Sequence, residues 1–172
     1  MATTMKLIGK NVLDSSSATV IFSNIPQIYT DLVLLSSART NRGNNGDSIW
    51  VQFNGDTTAG NYSNRILYGT GSSAVSITAN GAILLTQGAC GNNDTANTFG
   101  SSRALVPNYA GSSQKVVLHD GNSENNASTS YMSVDAGLWS STAAITSLLA
   151  RPGNGTNFLA GSSFFLYGIT RA

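Results

Sequence analysis

Short runs of alternating apolar and polar residues, each ended by glycine, asparagine or proline, fill the chain almost from end to end. A period of two puts successive side chains on opposite faces of a strand, and the 3.6-residue period of an amphipathic helix is nearly absent. The clearest case is Ile49, Val51 and Phe53 against Trp50 and Gln52, which predicts a half-buried strand over 48–54. Val116 and Leu118 alternate with Lys115, Val117 and His119 over 114–120, and Phe165, Tyr167 and Ile169 oppose Phe164 and Leu166 over 162–171. Further strands are predicted over 5–13, 17–22, 30–39, 65–68, 74–78, 82–86, 99–106, 131–139 and 144–150. In the first of these Ile8 and Val12 share a face beside Lys6 and Lys10, and lysines of this kind mark a sheet edge.

The stretch from Ser17 to Arg39 reads as a pair of core strands joined around Pro26. Proline has no N–H for a ladder and holds Ile25 extended, so the first strand ends there. Leu32, Val33, Leu34 and Leu35 form a continuous apolar run, the pattern of a strand covered on both faces. Asn80-Gly81 predicts a hairpin between the strands on either side of it. Gly69-Thr70-Gly71 is a turn, and 40–47 and 87–97 are the most loop-like segments. Ten or more short strands with frequent turns define an all-β chain, an antiparallel two-sheet sandwich of jelly-roll type; a closed barrel fits less well. With 172 residues and no linker, residues 1–172 form one domain.

Composition narrows the partners. Charged residues are only 10% of the chain, against an ordinary figure of about 25%. Nine basic and eight acidic residues leave a net charge of +1, which supplies no field to draw the chain to nucleic acid or anionic lipid. A neutral surface of hydroxyls and amides suits close protein contact, because few ions need to be desolvated. Cys90 is the single cysteine and excludes an internal disulfide. No apolar run approaches the ~18 residues of a membrane helix, and the first residues carry no secretory apolar core.

Candidate chemistry is sparse. His119 is the only histidine, and the adjacent Asp120 points to the opposite face of its strand, so it cannot orient the ring. No nucleophile elbow or phosphate loop is present, and no catalytic residue is assigned. Asp120, Asn122 and Glu124 could bring three oxygens to one calcium ion, though the spacing lacks the glycine and final glutamate of an EF-hand, so a polar turn is the reading and no metal or cofactor is expected. Trp50, Trp139, Tyr62 and Tyr109 could stack on sugars, but aromatics at such positions are more often core or subunit-interface anchors. Arg39, Arg42, Arg65 and Arg103 are dispersed, which favours bidentate contacts across a subunit interface over phosphate binding. Asn-x-Ser/Thr matches at Asn61, Asn93, Asn126 and Asn154 are what so asparagine-rich a chain contains by chance.

Several longer stretches resemble a family of small virion structural proteins from tailed phages of aquatic bacteria. They are MKLIGKNVL at 5–13, ATVIFSNIPQIYTDLVLLSSART at 18–40, FNGDTTAGNYSNRILYGTGSS at 53–73 and NDTANTF at 93–99. VPNYAGSSQK at 106–115, AGLWSSTAAITSL at 136–148 and the closing FLYGIT complete the pattern, which runs along nearly the whole chain. The resemblance implies a non-enzymatic protein on the virion surface and transfers no catalytic residue. The expected role is a capsid decoration or cement protein, a homotrimer lying over junctions between major capsid proteins on the outside of the head. The alternative is a tail-fibre or receptor-binding tip that recognises a host glycan. Expected contacts are the loops 40–47 and 87–97, with Arg42, Arg103, Trp50 and Trp139 at the interface.

Overall fold

The computed structural model of the chain describes residues 4–170, apart from the side chain of Leu84. Alternation and turn chemistry have produced twelve strands among these residues: β1 (Thr4–Val12), β2 (Val20–Phe22), β3 (Asp31–Ala38), β4 (Asp47–Phe53), β5 (Tyr62–Gly69) and β6 (Ala74–Asn80), then β7 (Ile83–Ala89), β8 (Gly100–Pro107), β9 (Lys115–Asn122), β10 (Met132–Trp139), β11 (Leu148–Pro152) and β12 (Ser163–Thr170). They form two antiparallel sheets, one ordered β1-β12-β3-β8-β9-β10-β5-β6 and the other β2-β11-β4-β7. The quartets β1-β12-β3-β8 and β2-β11-β4-β7 wind around each other as a jelly roll, the chain changing sheet at each of the steps β1 to β2, β2 to β3, β3 to β4, β7 to β8 and β11 to β12. Two further hairpins, β5-β6 and β9-β10, extend the first sheet beyond β8.

The core lies between the sheets. Leu32 and Leu34 of β3, Phe164 and Leu166 of β12 and Val106 of β8 meet Ile49, Val51 and Phe53 of β4, Leu148 of β11 and Leu85 of β7. Each such side chain contributes roughly 1.5–3 kcal/mol by leaving water. A void of about 10 Å³ lies among Leu32, Leu34, Val51, Phe53, Leu85 and Leu148.

Two expectations about partners change. β2 and β3 do not pair: β2 hydrogen-bonds to β11 in the smaller sheet, whereas β3 lies between β12 and β8 in the larger. The segment between them is an arch across the core, held where the Ile25 N–H donates to Thr146 O (2.9 Å), the Gln27 amide donates to Ile145 O (2.9 Å) and the Tyr109 hydroxyl donates to Pro26 O. Crossing lets Val20 and Phe22 face β3 instead of lying beside it. The turn at Asn80-Gly81 likewise changes sheet, with Gly81 at φ +96, so β6 and β7 form no hairpin. Ile83 and Leu85 reach the core only from the smaller sheet, and their burial overrides the local turn preference. The actual hairpin is β5 with β6, closed by the Thr70 N–H donating to Ser73 O at 3.0 Å.

β1 is the edge strand that its lysines predict. A register shift between Leu7 and Gly9 sends Ile8 toward the core but leaves Val12 exposed. The smaller sheet packs on the Leu32 and Leu34 face of β3; on the other face Val33 is also buried and Leu35 is partly exposed. Arg171, placed by its alternation in the last strand, lies outside the described residues.

Candidate interaction surfaces

At one end of the sandwich the connections β3-β4, β7-β8, β9-β10 and β11-β12 are tied into a single platform. Asp94 is its hub: the buried carboxylate accepts from Gly91 N (2.6 Å), Gly46 N (2.8 Å), Asn45 Nδ2 (2.9 Å) and Asn125 Nδ2 (2.7 Å). Four donors replace the water that a buried carboxylate would otherwise lose at a cost of several kcal/mol. The guanidinium of buried Arg39 donates to the carbonyls of Asp94, Thr95 and Thr98, each at 2.9 Å, and fixes the course of the same loop. Asp47 repeats the device on the other side. Its carboxylate accepts from Thr40 Oγ1 (2.9 Å), Asn154 N (3.1 Å) and Gly155 N (3.0 Å).

The two loops expected as contacts are therefore one structure. Asn92 N donates to Arg42 O at 2.6 Å, and a Cβ on Gly91 would lie 2.0 Å from Asn44 O, so only glycine permits this approach. The solvent side carries the exposed amides of Asn41, Asn44, Asn92, Asn93 and Asn97. Arg42 braces this platform from within, its Nη1 donating to Gly46 O at 2.8 Å.

Arg103 is elsewhere, on the outer face of the eight-stranded sheet. Cross-strand register reads this face in rows. The first runs Leu7, Tyr167, Val33, Leu105, Leu118, Ala136, Arg65 and Thr78 from β1 to β6. The second runs Lys10, Phe165, Leu35, Arg103, Asp120, Val134, Leu67 and Ser76, and the third Val12, Ser163, Ser37, Ser101, Asn122, Met132, Gly69 and Ala74. Leu67, Val116, Leu118 and Val134 are 45–55% exposed and Met132 67%. The small residues of the third row leave an open groove of about 870 Å³, with Phe165 and Leu35 on one side and Tyr131 and Met132 on the other. Arg103 Nη2 meets Asp120 Oδ1 at 2.7 Å beside it.

The three oxygens considered for calcium border this groove without converging on an ion. Asp120 is engaged by Arg103, Asn122 Oδ1 accepts from Glu124 N, and Glu124 Oε1 accepts from Asn126 N at 2.8 Å. The Asn126 N–H, helped by the Ser130 hydroxyl, holds the Glu124 carboxyl below its ordinary value. No group of three His, Cys, Asp or Glu side chains among the described residues could hold a metal.

His119 has a partner that adjacency in sequence does not reveal. Its Nδ1 lies 2.9 Å from Asp135 Oδ2, on the neighbouring strand β10, and both side chains are 1% exposed. Asp135 Oδ2 also accepts from Thr86 N at 2.8 Å, so the carboxylate anchors β7 over β10. A Cβ on Gly121 would lie 2.7 Å from His119 Nε2. The pair is thus sealed beneath the smaller sheet. Lys115 is buried as well, with Nζ donating to Gly111 O at 2.8 Å and to Ser113 O, and burial pulls its ammonium pKa down. Burial raises that of the Cys90 thiol.

The aromatic set divides. Tyr62, Tyr109 and Trp139 are buried in the core, which removes them from any sugar-stacking surface and leaves Trp139 no face for a partner. Trp139 Nε1 donates to Asp56 Oδ2 at 2.7 Å, and Tyr62 donates its hydroxyl to Asp56 O at 3.0 Å. Desolvation pushes the Tyr62 phenol up to about 12. Trp50 is half-buried on the smaller sheet, with the Arg151 guanidinium 4.3 Å from its ring centre.

No family model matches the chain, and no curated protein does. Among solved structures, a protein of unknown function from Shewanella oneidensis MR-1 aligns over 98% of this chain and 77% of its own, at 10% identity and a TM-score of 0.23. An overlap that low carries neither fold nor role to this chain.

Proposed function

We propose that the chain is a non-enzymatic structural protein of a tailed-phage virion, a decoration protein seated on the outside of the head that links major capsid proteins. The observation that carries this reading is the loop platform. A contact surface built from loops ordinarily loses conformational entropy on binding, and here Asp94, Arg39 and Asp47 have already ordered it. Its exposed amides are neutral and can bond to backbone or side chains of a shell without removing an ion from water. The resemblance described above supports placing it on a phage. Several weak contacts to neighbouring shell subunits then act together through effective concentration and oppose rupture of the filled head.

Quantifying the protein in purified particles and locating it with a specific label tests this. The expected outcome is hundreds of copies over the head, with particles stripped of the protein breaking at lower temperature or milder osmotic shock. Label confined to the tail, or unchanged rupture in stripped particles, would sink it. The tail-tip alternative draws on the groove beside Tyr131, Phe165 and the Arg103–Asp120 pair, which has the volume of a ligand site and joins aromatic faces to paired polar groups. A small copy number at the tail and binding of host glycan would favour it.

A further inference from the structure

We infer that the outer face of the eight-stranded sheet pairs with the same face of a second copy of this chain, about a twofold axis running along the strands above the β8/β9 boundary. This goes beyond the role on a phage head, does not depend on it, and puts a twofold dimer where the resemblance implies a homotrimer. The first ground is charge. Arg103 on β8 and Asp120 on β9 stand side by side at the midline of the sheet, with four strands to either side. Rotation about that axis places each Arg103 opposite the partner copy's Asp120 and each Asp120 opposite its Arg103. A self-complementary pair of this kind is what an isologous interface requires.

The second ground is the fit of the rows. The same rotation lays β3 over β10 and β12 over β5, so Leu35 meets Val134 and Phe165 meets Leu67. In the first row Leu105 meets Leu118. In the third, Met132, the most exposed of the apolar side chains on this face, is set over Ser37 in the floor of the groove. Large residues fall on small ones and apolar on apolar, with the strands aligned as in packed sheets.

The third ground is area. Of the large apolar side chains exposed among the described residues, all but Ile21, Ile28 and Ile77 belong to this face. At roughly 200 Å² each and about half exposed, these eight offer on the order of 800 Å², the share per partner of a standard stable interface.

Sedimentation equilibrium on the full chain tests the pairing, using Arg103→Glu, Asp120→Arg and Leu118→Lys. All three side chains are exposed, and circular dichroism verifies that each variant keeps its fold. The wild type is expected as a dimer, and each variant alone to dissociate at least tenfold more readily. An equimolar mixture of Arg103→Glu and Asp120→Arg is expected to recover the dimer, because both cross-copy contacts are then between opposite charges. Recovery on mixing cannot come from the contact within one chain. A monomeric wild type, a trimer, a dimer indifferent to Leu118→Lys or a mixture that stays monomeric would overturn the inference. So would a monomer whose groove residues bind a soluble saccharide.

Discussion

Carboxylates set the fine structure of this protein, although the chain has only eight. Asp56 shows how one of them acts. Its side chain accepts from Trp139 Nε1 and Asn61 Nδ2 and from Thr58 N, and these donors, the indole first, hold its pKa down from 3.8 to about 2. A carboxyl lowered on folding stabilises the native state above its unfolded pKa, and that contribution is lost as pH falls through the folded value. Asp56→Ala leaves the buried indole N–H without an acceptor and is expected to cost about 1–3 kcal/mol at neutral pH. Urea unfolding of wild type and variant from pH 7 to pH 2 should show the gap narrowing below about pH 4, in line with ordinary carboxyl titration. A gap independent of pH would mean that Asp56 acts through shape alone. Apolar positions were legible: Leu34, inside β3, is buried as its run predicts. Leu34→Asp buries an unpaired charge and should lower stability by more than about 4 kcal/mol, leaving little folded protein by circular dichroism. The pairing of His119 with Asp135 was not legible, because residues in register across two strands are separated by whatever loop the chain inserts.

At the level of elements, the positions of strands follow from local pattern, and their partners do not. Alternation placed β4, β8, β9 and β12 to within a few residues, while β2 and β7 joined a different sheet from the one their turns suggest. β2 ends at Phe22, ahead of Asn24 at φ +54 and Pro26, and β6 ends at Asn80, but the choice of the next partner belongs to the core, which gains more from Phe22, Ile83 and Leu85 facing inward than from a tight hairpin. The loop platform was visible only as two polar segments. What joins them is a close approach at Gly91, whose need for a missing Cβ has no periodic signature. Gly91→Ala should therefore push 40–47 away from 90–97 while the sheets stay intact. Hydrogen exchange would show it: the amides of Asn92 and Gly46, protected in the wild type by Arg42 O and Asp94, should exchange at least tenfold faster, with those of β3 and β12 unchanged. Equal protection in both proteins would show that the loops do not need the contact.

For the whole molecule, the outer face of the large sheet is the feature that sequence alone conceals most effectively. Alternation separates Val116 and Leu118 from Lys115, Val117 and His119 without saying which set faces inward; the fold buries Lys115, Val117 and His119 and leaves Val116, Leu118 and, on β10, Val134 exposed. Lys115 is held inside by carbonyls and His119 by Asp135, although His119 Nε2 and Asp135 Oδ1 stay unpartnered, and apolar residues are left outside across the face. Such a layer should couple folding to association. A species that binds only the native state raises the apparent stability, so a paired protein melts at a temperature that depends on its own concentration. Above the dissociation constant, a hundredfold increase in protein should add about 1.4 kcal/mol per chain and raise the midpoint by about 3–5 °C for a domain of this size. Leu118→Lys, which puts a charge into the middle of the face without touching the core, should show a smaller rise over the same series, because less of it is paired at each concentration. Calorimetry over that range decides the matter: a wild-type midpoint that rises no more than the variant's would mean that the apolar layer stays in water, and the stability of the chain would then be entirely that of the single sandwich.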